Sequence, residues 1–523
     1  MSSTYKLTST AIEVFKAIPS ETNFPGAYLL DKSAVSAFQL QGDAGKVVTD
    51  LLKLFAIKIN NQTSGIMIST TSVSYFCSVL FLLYTATAGA QKKITDETEA
   101  QKKERMAWWA HDRFGMFIHW GLYALPARHE WVKQRERMTD EQYQVYFDEF
   151  NPDLYNPKQW AKQAKKAGMK YAVITTKHHE GFCLFDSEFT DYKSTNTKAG
   201  RDLIAEFVEA FRAEGLKVGF YYSLIDWHHP DFTIDRIHPQ RIDEGSEADY
   251  DAVNKGRDMK KYRKYLFNQV RELLTNYGKI DIIWFDFSYP GKNGKGKDDW
   301  NSVELLKMAR ELQPGIIVDN RLDLNDYADG ADFETPEQVK TEELAKYKGK
   351  MWETCQTFSG SWGYYRDENT WKSQRQLLDL LITSVANGGN LLLNVGPTGR
   401  GEFDYRAINA LDGLGGWMHA NSRSVYGCTF APEDYKAPTG TKLTYNPETN
   451  RLYLHLFEYP SSGRLVLPGY KNKIRYTQFL HDNSEIGISA EGPSGTLKNE
   501  DLILLLPEQK PGMEIPVVEI TLK

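Results

Sequence analysis

Short apolar runs recur along the chain, with segments of helical period filling the spaces between them. The runs are GMFIHWG (115–121), KYAVITTKHH (170–179), KVGFYYSL (217–224), DIIWFDF (281–287), GIIVDNR (315–321), ADFET (331–335), MWETCQT (351–357) and NLLLNVGP (390–397). Short near-continuous apolar runs are the pattern of strands buried on both faces of a parallel sheet. Between them PKQWAKQAKKAG (157–168), LIAEFVEAFRAEG (203–215) and KYRKYLFNQVRELLTNYG (261–278) repeat at helical spacing. Gly168, Gly215 and Gly278 stand where helix C-caps belong. Eight runs with intervening helices predict an α/β chain folded as a (β/α)8-like TIM barrel rather than a doubly wound sheet. The sixth and seventh repeats are the weakest, because no long helical segment lies between them.

From about residue 435 the pattern changes. RLYLHLF (451–457), GRLVLP (463–468), NKIRYTQFL (472–480), DLILLLP (501–507) and PVVEITLK (516–523) alternate with Gly, Pro and Asn turns. That predicts a C-terminal all-β sandwich over 435–523. At the other end, KKITDETEAQKKE (92–104) reads as a charged helical or flexible lead-in, so the barrel is set at 91–430.

Residues 67–91, MISTTSVSYFCSVLFLLYTATAGAQ, are of another kind. The apolar run Val79–Tyr84 is too short to span a membrane. Ala88-Gly89-Ala90 follows it as an A-x-A cleavage pattern that would leave Gln91 as the mature N-terminus. A basic n-region is missing. We read 67–90 as a signal peptide, the alternatives being a buried helix or a membrane anchor, and Met67 as the start it would imply. Residues 1–66 form an uncharacterised N-terminal extension without a motif. The sequon Asn61-Gln62-Thr63 falls in it, so a mature chain without sequons is expected to be secreted or periplasmic in a bacterial envelope rather than lysosomal. After cleavage no stable membrane partner is expected.

Composition narrows the chemistry. With 523 residues, 41% of them hydrophobic, a large core is available and the length suggests several domains. A net charge of −6 without a long basic run argues against nucleic acid as a partner. The aromatic share of 13% supplies flat apolar faces that suit sugars, beyond those the core uses. Of four cysteines, Cys77 lies in the segment expected to be removed, and Cys183, Cys355 and Cys428 form no CxxC pair. At least one free thiol and no thiolate zinc site are expected.

In a parallel barrel the reactive groups gather at the C-terminal ends of the strands. Those ends carry His119 and Trp120, His178 and His179, Tyr221 and Tyr222, Trp284 and Asp286, Asn320 and Arg321, and then Glu334 and Glu337. Adjacent strand residues point to opposite faces, so His178 and His179 can meet one ligand only beyond the end of their strand. The triplet His178-His179-Glu180 is not the HExxH zinc spacing, and no metal is expected. Neutral imidazoles that bond hydroxyls, beside tryptophans, fit a monosaccharide better. Asp286 ends an apolar strand, where a carboxylate needs partners, and Arg321 is a candidate to pair with it or with a neighbouring Glu. Glu337 follows Pro336 and reads equally as a helix N-terminal residue. Asp332, Glu334 and Glu353 are rivals for a second carboxylate role. NVGPTGRGEF (394–403) looks like a Gly-rich phosphate loop but lacks the Walker spacing and lysine.

RFGMFIHWGLYALP, EWV, KHHEGFCLFDS, GFYYSLIDW, WFDF, VDNR, DFETPE, WETCQTFSGSWGY and NLLLNVGP occur in this order from roughly His111 to Phe430. Together they resemble the α-L-fucosidases of glycoside hydrolase family 29. The resemblance implies a retaining exo-glycosidase acting on fucosylated glycans without a cofactor. It implies Asp286 as nucleophile and Glu337 as acid/base, with Glu334 as rival because the acid/base position varies between family branches. The sugar contacts it implies are His119, Glu130, Trp131, His178, His179, one of Tyr221 and Tyr222, Trp284 and Arg321. Tyr222 is preferred of the two because it stands immediately before the Ser. In that reading Arg321 or the histidines favour an ionised Asp286, and burial keeps Glu337 protonated. A non-catalytic fucose-binding relative and a phosphate-handling barrel lyase using the 394–403 loop are the alternatives.

Overall fold

The computed structural model describes residues 92–243, 249–491 and 497–523. The readings of 1–66 and 67–90 lie outside the described residues. Seven parallel strands form one curled sheet: β1 Phe114–Ile118, β2 Tyr171–Lys177, β3 Lys217–Ser223, β4 Ile282–Asp286, β5 Ile317–Val318, β6 Glu353–Thr357 and β7 Asn390–Val395. Their spatial order is β5-β4-β3-β2-β1-β7-β6. Each coincides with one of the apolar runs. The helices Pro157–Lys166, Leu203–Ala213 and Met259–Thr275 follow where the helical period predicts them. Gly168, Gly215 and Gly278 behind them have φ of 86°, 78° and 69°, left-handed values that a side chain would strain.

The sixth run is the exception. Between β5 and β6 the chain pairs with its neighbours in strand fashion only through single bridges, Asp319 to Phe333, Glu334 to Trp352 and Glu337 to Cys355. No long helix follows it, only the 3-10 turn Thr341–Tyr347. The segment still fills the gap between β5 and β6, so the arrangement is a (β/α)8-like barrel with one residual strand.

Alternation along the strands separates two cores. Phe117, Tyr171, Tyr221, Ile282, Trp284, Ile317 and Leu392 pack inside the barrel. Phe114, Met116, Val218, Phe220, Tyr222, Ile283 and Phe285 pack outward with residues of the covering helices. The lead-in is the helix Glu99–Asp112, started by a capping box of Thr98 and Gln101. Its Met106 and Trp109 join the inner cluster, closing the end of the barrel where the strands begin.

Behind the barrel stand a five-stranded and a three-stranded antiparallel sheet, β12-β15-β10-β9-β8 and β11-β14-β13. They comprise β8 Thr429–Phe430, β9 Thr441–Asn446, β10 Arg451–Leu456, β11 Arg464–Leu467, β12 Ile474–Phe479, β13 Gly487–Ser489, β14 Leu502–Leu505 and β15 Val517–Leu522. Leu452, Leu454, Leu467, Leu504, Val518 and Ile520 fill the space between them, as the sandwich expectation requires. The short or polar strands β8, β9 and β13 carried no apolar run and were not foreseen. Among the described residues no helix is long and apolar enough to cross a membrane. Cys183, Cys355 and Cys428 are all free and buried.

Candidate active site

A pocket of about 600 Å³ opens at the C-terminal ends of the strands. His119, Glu130, Trp131, His178, His179, Trp284, Asp286, Arg321 and Glu337 all line it. Of the ten residues singled out from the sequence only Tyr222 does not. Its hydroxyl donates to Gln269 Oε1 at 2.8 Å on the helix side of the sheet. The correction follows from strand parity: Tyr221 pairs in register with the inward Trp284, which turns its neighbour outward. The Tyr221 hydroxyl enters the pocket and donates to Asp286 Oδ2 at 2.7 Å.

Asp286 is the last residue of β4 and is buried. The next residue, Phe287, has φ 82°, a strained value for an aromatic residue that ends the strand abruptly. The Asp286 carbonyl accepts from Leu224 N at 2.9 Å, which holds the turn against β3. Its carboxylate then faces Arg321, whose Nη1 lies 2.8 Å from Oδ1. Nη2 of the same guanidinium lies 2.7 Å from Glu337 Oε2, so one cation joins both carboxylates. Burial alone would depress the pKa of Arg321. Asp286, Cys355 and Glu337 outweigh it and hold the guanidinium well above its usual value. Its plane lies 4.8 Å over the Trp284 ring, and Thr335 Oγ1 receives its Nε–H at 3.1 Å.

Glu337 departs from expectation in its setting: its side chain is 42% exposed at the pocket mouth. It is not the buried acid the sequence suggested, and its ion-pair partner is Arg321. The rivals are elsewhere. Glu334 turns to Lys350 at 2.8 Å and does not line the pocket. Asp332 lies near the start of β5, paired with Arg105 and Arg310. Burial raises its pKa, but the hydrogen bond from Arg105 and the arginine charges prevail and lower it. Glu353 begins β6 beneath the pocket floor, where it receives the Tyr171 hydroxyl. Burial pushes it up to about 7, against the hydrogen bond from Tyr171.

The histidines stand just beyond their strands, and the two neighbours share the pocket with ring centroids 4.0 Å apart. Two of them have their tautomer dictated by a neighbour. The Asn394 amide donates to the Trp362 carbonyl at 2.7 Å, so its oxygen is left to accept, and His119 Nδ1 at 2.7 Å must donate. Ser223 gives its one hydroxyl proton to the Ile225 carbonyl at 2.6 Å, so His179 Nδ1 at 2.8 Å donates to that oxygen. Both rings thus keep Nε2 as a lone-pair acceptor, His179 Nε2 standing 3.9 Å from Asp286 Oδ2. Burial above all drives both pKa values well below the usual one, so both stay neutral.

Glu130 is buried and its Oε2 accepts from Ser361 Oγ, Trp362 N and Gly363 N at 3.1, 3.2 and 3.0 Å. That ties the first loop to the one after β6. The walls are aromatic. Trp131 packs against His179 and Phe287 at 5.2 and 5.3 Å, and Trp362 against His119 at 5.1 Å. Phe117, Phe287, Cys355 and Trp362 were not singled out as lining residues, and Tyr221, the less favoured of the two tyrosines, is the one that lines the pocket. Phe117 and Cys355 share the inward parity of Trp284, which is the signal that could have found them. Of the supposed phosphate loop, none of residues 396–403 lines the pocket, and Arg400 is paired with Asp153 on the outer surface. Among the described residues no three His, Cys, Asp or Glu side chains are grouped to hold a metal ion. The arrangement offers hydroxyl acceptors, a cation, three carboxylates and apolar faces to one small polyhydroxylated ring.

Comparison with known proteins agrees. A family profile described as alpha-L-fucosidase matches residues 81–423. The alpha-L-fucosidase of Dictyostelium discoideum is 28% identical over 450 residues, 79% of this chain and 88% of that one. The plasma alpha-L-fucosidase of Homo sapiens is 28% identical over 390 residues, covering 69% and 78%. Among solved structures, alpha-L-fucosidase isoenzyme 1 from Paenibacillus thiaminolyticus superposes with TM-score 0.73 at 44% identity, covering 81% of this chain and 99% of that one. An alpha-L-fucosidase from Bacteroides thetaiotaomicron, trapped as a covalent intermediate with 2-fluoro-fucosyl fluoride, superposes with TM-score 0.69 at 28% identity, covering 84% and 99%.

Proposed function

Because the chain belongs to the α-L-fucosidase family and hydrolyses terminal α-L-fucosyl residues with retention, we propose that Asp286 is its nucleophile and Glu337 its acid/base. The observation that carries this is the guanidinium of Arg321, which meets Asp286 with one nitrogen and Glu337 with the other. A retaining pair works with its two carboxylates close together, at about 5 Å, and here one guanidinium contacts both.

Fucose seats with its hydroxyls on the histidine Nε2 atoms and Glu130, and its apolar face against Trp131 and Trp284. Asp286 attacks C1 while the C1–O bond breaks, forming the fucosyl-enzyme, and Glu337 gives its proton to the departing oxygen. Glu337 then takes a proton from water, which attacks C1 and frees Asp286. Tyr221 and Arg321 hold the Asp286 carboxylate before attack and receive it again after release. The mouth position of Glu337, at 42% exposure, suits a group that must serve both a leaving sugar and a water molecule. The trapped intermediate of the Bacteroides relative supports the covalent step.

The same reading extends to the organisation of the chain. Residues 91–430 form the catalytic barrel and 435–523 the sandwich. Residues 67–90 act as a signal peptide that delivers the enzyme to the periplasm or the exterior, supported by the Ala88-Gly89-Ala90 pattern.

The test is the full chain on an aryl α-L-fucoside beside Asp286→Ala and Glu337→Ala. The parent releases the phenol, Asp286→Ala is inactive, and azide restores Glu337→Ala on an activated leaving group. A folded parent that neither cleaves nor binds fucosides overturns the reading, and binding without turnover makes it a fucose-binding relative.

A further inference from the structure

The triplet His178-His179-Glu180 has a third member that the reaction scheme does not use. Glu180 is 1% exposed, and neither of its carboxylate oxygens has a hydrogen-bond partner. The tyrosines Tyr123, Tyr143 and Tyr192 all feel its charge. Among the described residues the basic nitrogen at ion-pair distance is His178 Nδ1, 3.4 Å from Oε2. That nitrogen is itself sealed from solvent and has no hydrogen-bond partner. A buried carboxylate and a buried ring nitrogen left unpaired side by side are each costly, and a shift of a few tenths of an ångström lets each satisfy the other.

We infer that Glu180 is a positioning residue: it accepts the Nδ1–H of His178 and so presents the Nε2 lone pair of that ring to the sugar. It does for His178 what Asn394 does for His119 and Ser223 for His179, but with a charge behind the ring. A carboxylate on Nδ1–H makes Nε2 a better acceptor than a neutral partner does. Three imidazoles in one wall then all ask for protons. The sugar hydroxyls facing them must donate, and a fluoro, deoxy or O-methyl group at the position facing His178 has none to give. The specificity follows from the proposed fucosidase function and rests on it. The tautomer does not.

Two measurements on the full chain separate the claims. With the histidine ring nitrogens isotope-labelled, nitrogen NMR of the free protein reports the His178 tautomer, assigned by loss of its signals in His178→Gln. The expected result is a proton on Nδ1 in the parent and a mixture or reversal in Glu180→Gln. The kinetic expectation for Glu180→Gln is a loss of about tenfold in kcat/KM on an aryl α-L-fucoside. The penalty for the matching deoxyfucoside should shrink by a similar factor, which a general loss of packing would not produce. A proton on His178 Nε2 in the parent overturns the inference, as does a Glu180→Gln protein with unchanged tautomer and kinetics. If Glu180→Gln does not fold, the parent spectrum decides alone. A parent with the expected tautomer that fails to cleave fucosides sinks the functional reading and leaves this one standing.

Discussion

The Tyr221 hydroxyl donates to Asp286 Oδ2 at 2.7 Å, while the adjacent Tyr222 points to the other side of the sheet and meets Gln269. Burial first and the Asp286 charge next hold the Tyr221 pKa well above its usual value, so it stays a donor throughout the working range. Tyr221→Phe is expected to lower kcat by about tenfold to a hundredfold with little change in KM. Tyr222→Phe should leave kinetics alone and cost about 1 kcal/mol of stability through the lost core hydrogen bond. Steady-state kinetics and thermal unfolding of the two variants check the pair.

Arg321→Lys tests the shared cation. Lysine is a point charge that can meet one carboxylate well but not bridge two as a planar fork does. A loss of roughly a hundredfold in kcat/KM is expected, comparable to removing one preorganised electrostatic group. If Arg321→Lys matches the parent on an aryl α-L-fucoside, the bridge is incidental to the reaction.

Glu334→Gln and Glu337→Gln distinguish the two neighbouring acids. Glu334 is tied to Lys350 outside the pocket, an exposed pair worth about 1 kcal/mol at most, so its variant should keep full activity. Glu337→Gln should lose about a hundredfold or more on substrates with poor leaving groups, and much less on activated aryl fucosides. A plot of rate against leaving-group acidity reads the difference.

Glu353 gives a pH signature of stability. Its folded pKa of about 7 exceeds the unfolded 4.5, so between those values the folded state holds a proton that the unfolded state has released. The stabilisation is complete below about pH 4.5 and is lost as pH rises through about 7. Glu353→Gln removes this dependence. Relative to the parent it should gain up to roughly 3 kcal/mol between the two limits, read as the difference in unfolding midpoint between the two proteins across that range.

Much of the barrel was legible because burial on both faces leaves an apolar run that needs no partner to be recognised. Runs β1 to β4 and β7 read directly, and Gly168, Gly215 and Gly278 marked the helix ends by their left-handed φ. Side of strand was less legible. Choosing Tyr222 by its place before Ser223 ignored that Val218, Phe220 and Tyr222 form the helix-facing set; parity against Trp284 selects Tyr221. The exposure of Glu337 could not be read either, since DFETPEQ looks the same whether it ends inside a pocket or at its rim. Glu180 was visible in the triplet, but its role depends on a sealed environment built by Tyr123 and Tyr143, distant in the chain. The sandwich strands β8, β9 and β13 are short or half polar, and an edge of that kind leaves little pattern to find.

The two proposed catalytic carboxylates stand on unequal foundations. Asp286 ends a five-residue strand paired in register with β3 and joined to β5, whereas Glu337 rides on a segment held by isolated bridges. Inserting or deleting residues around 322–330 or 339–350 therefore leaves the register of the other strands intact, while the same change beside Asp286 would shift β4 itself. One half of the machinery is fixed by architecture and the other is free to drift. A lineage, or a designer, seeking a new leaving group would find its freedom at the sixth position of the barrel.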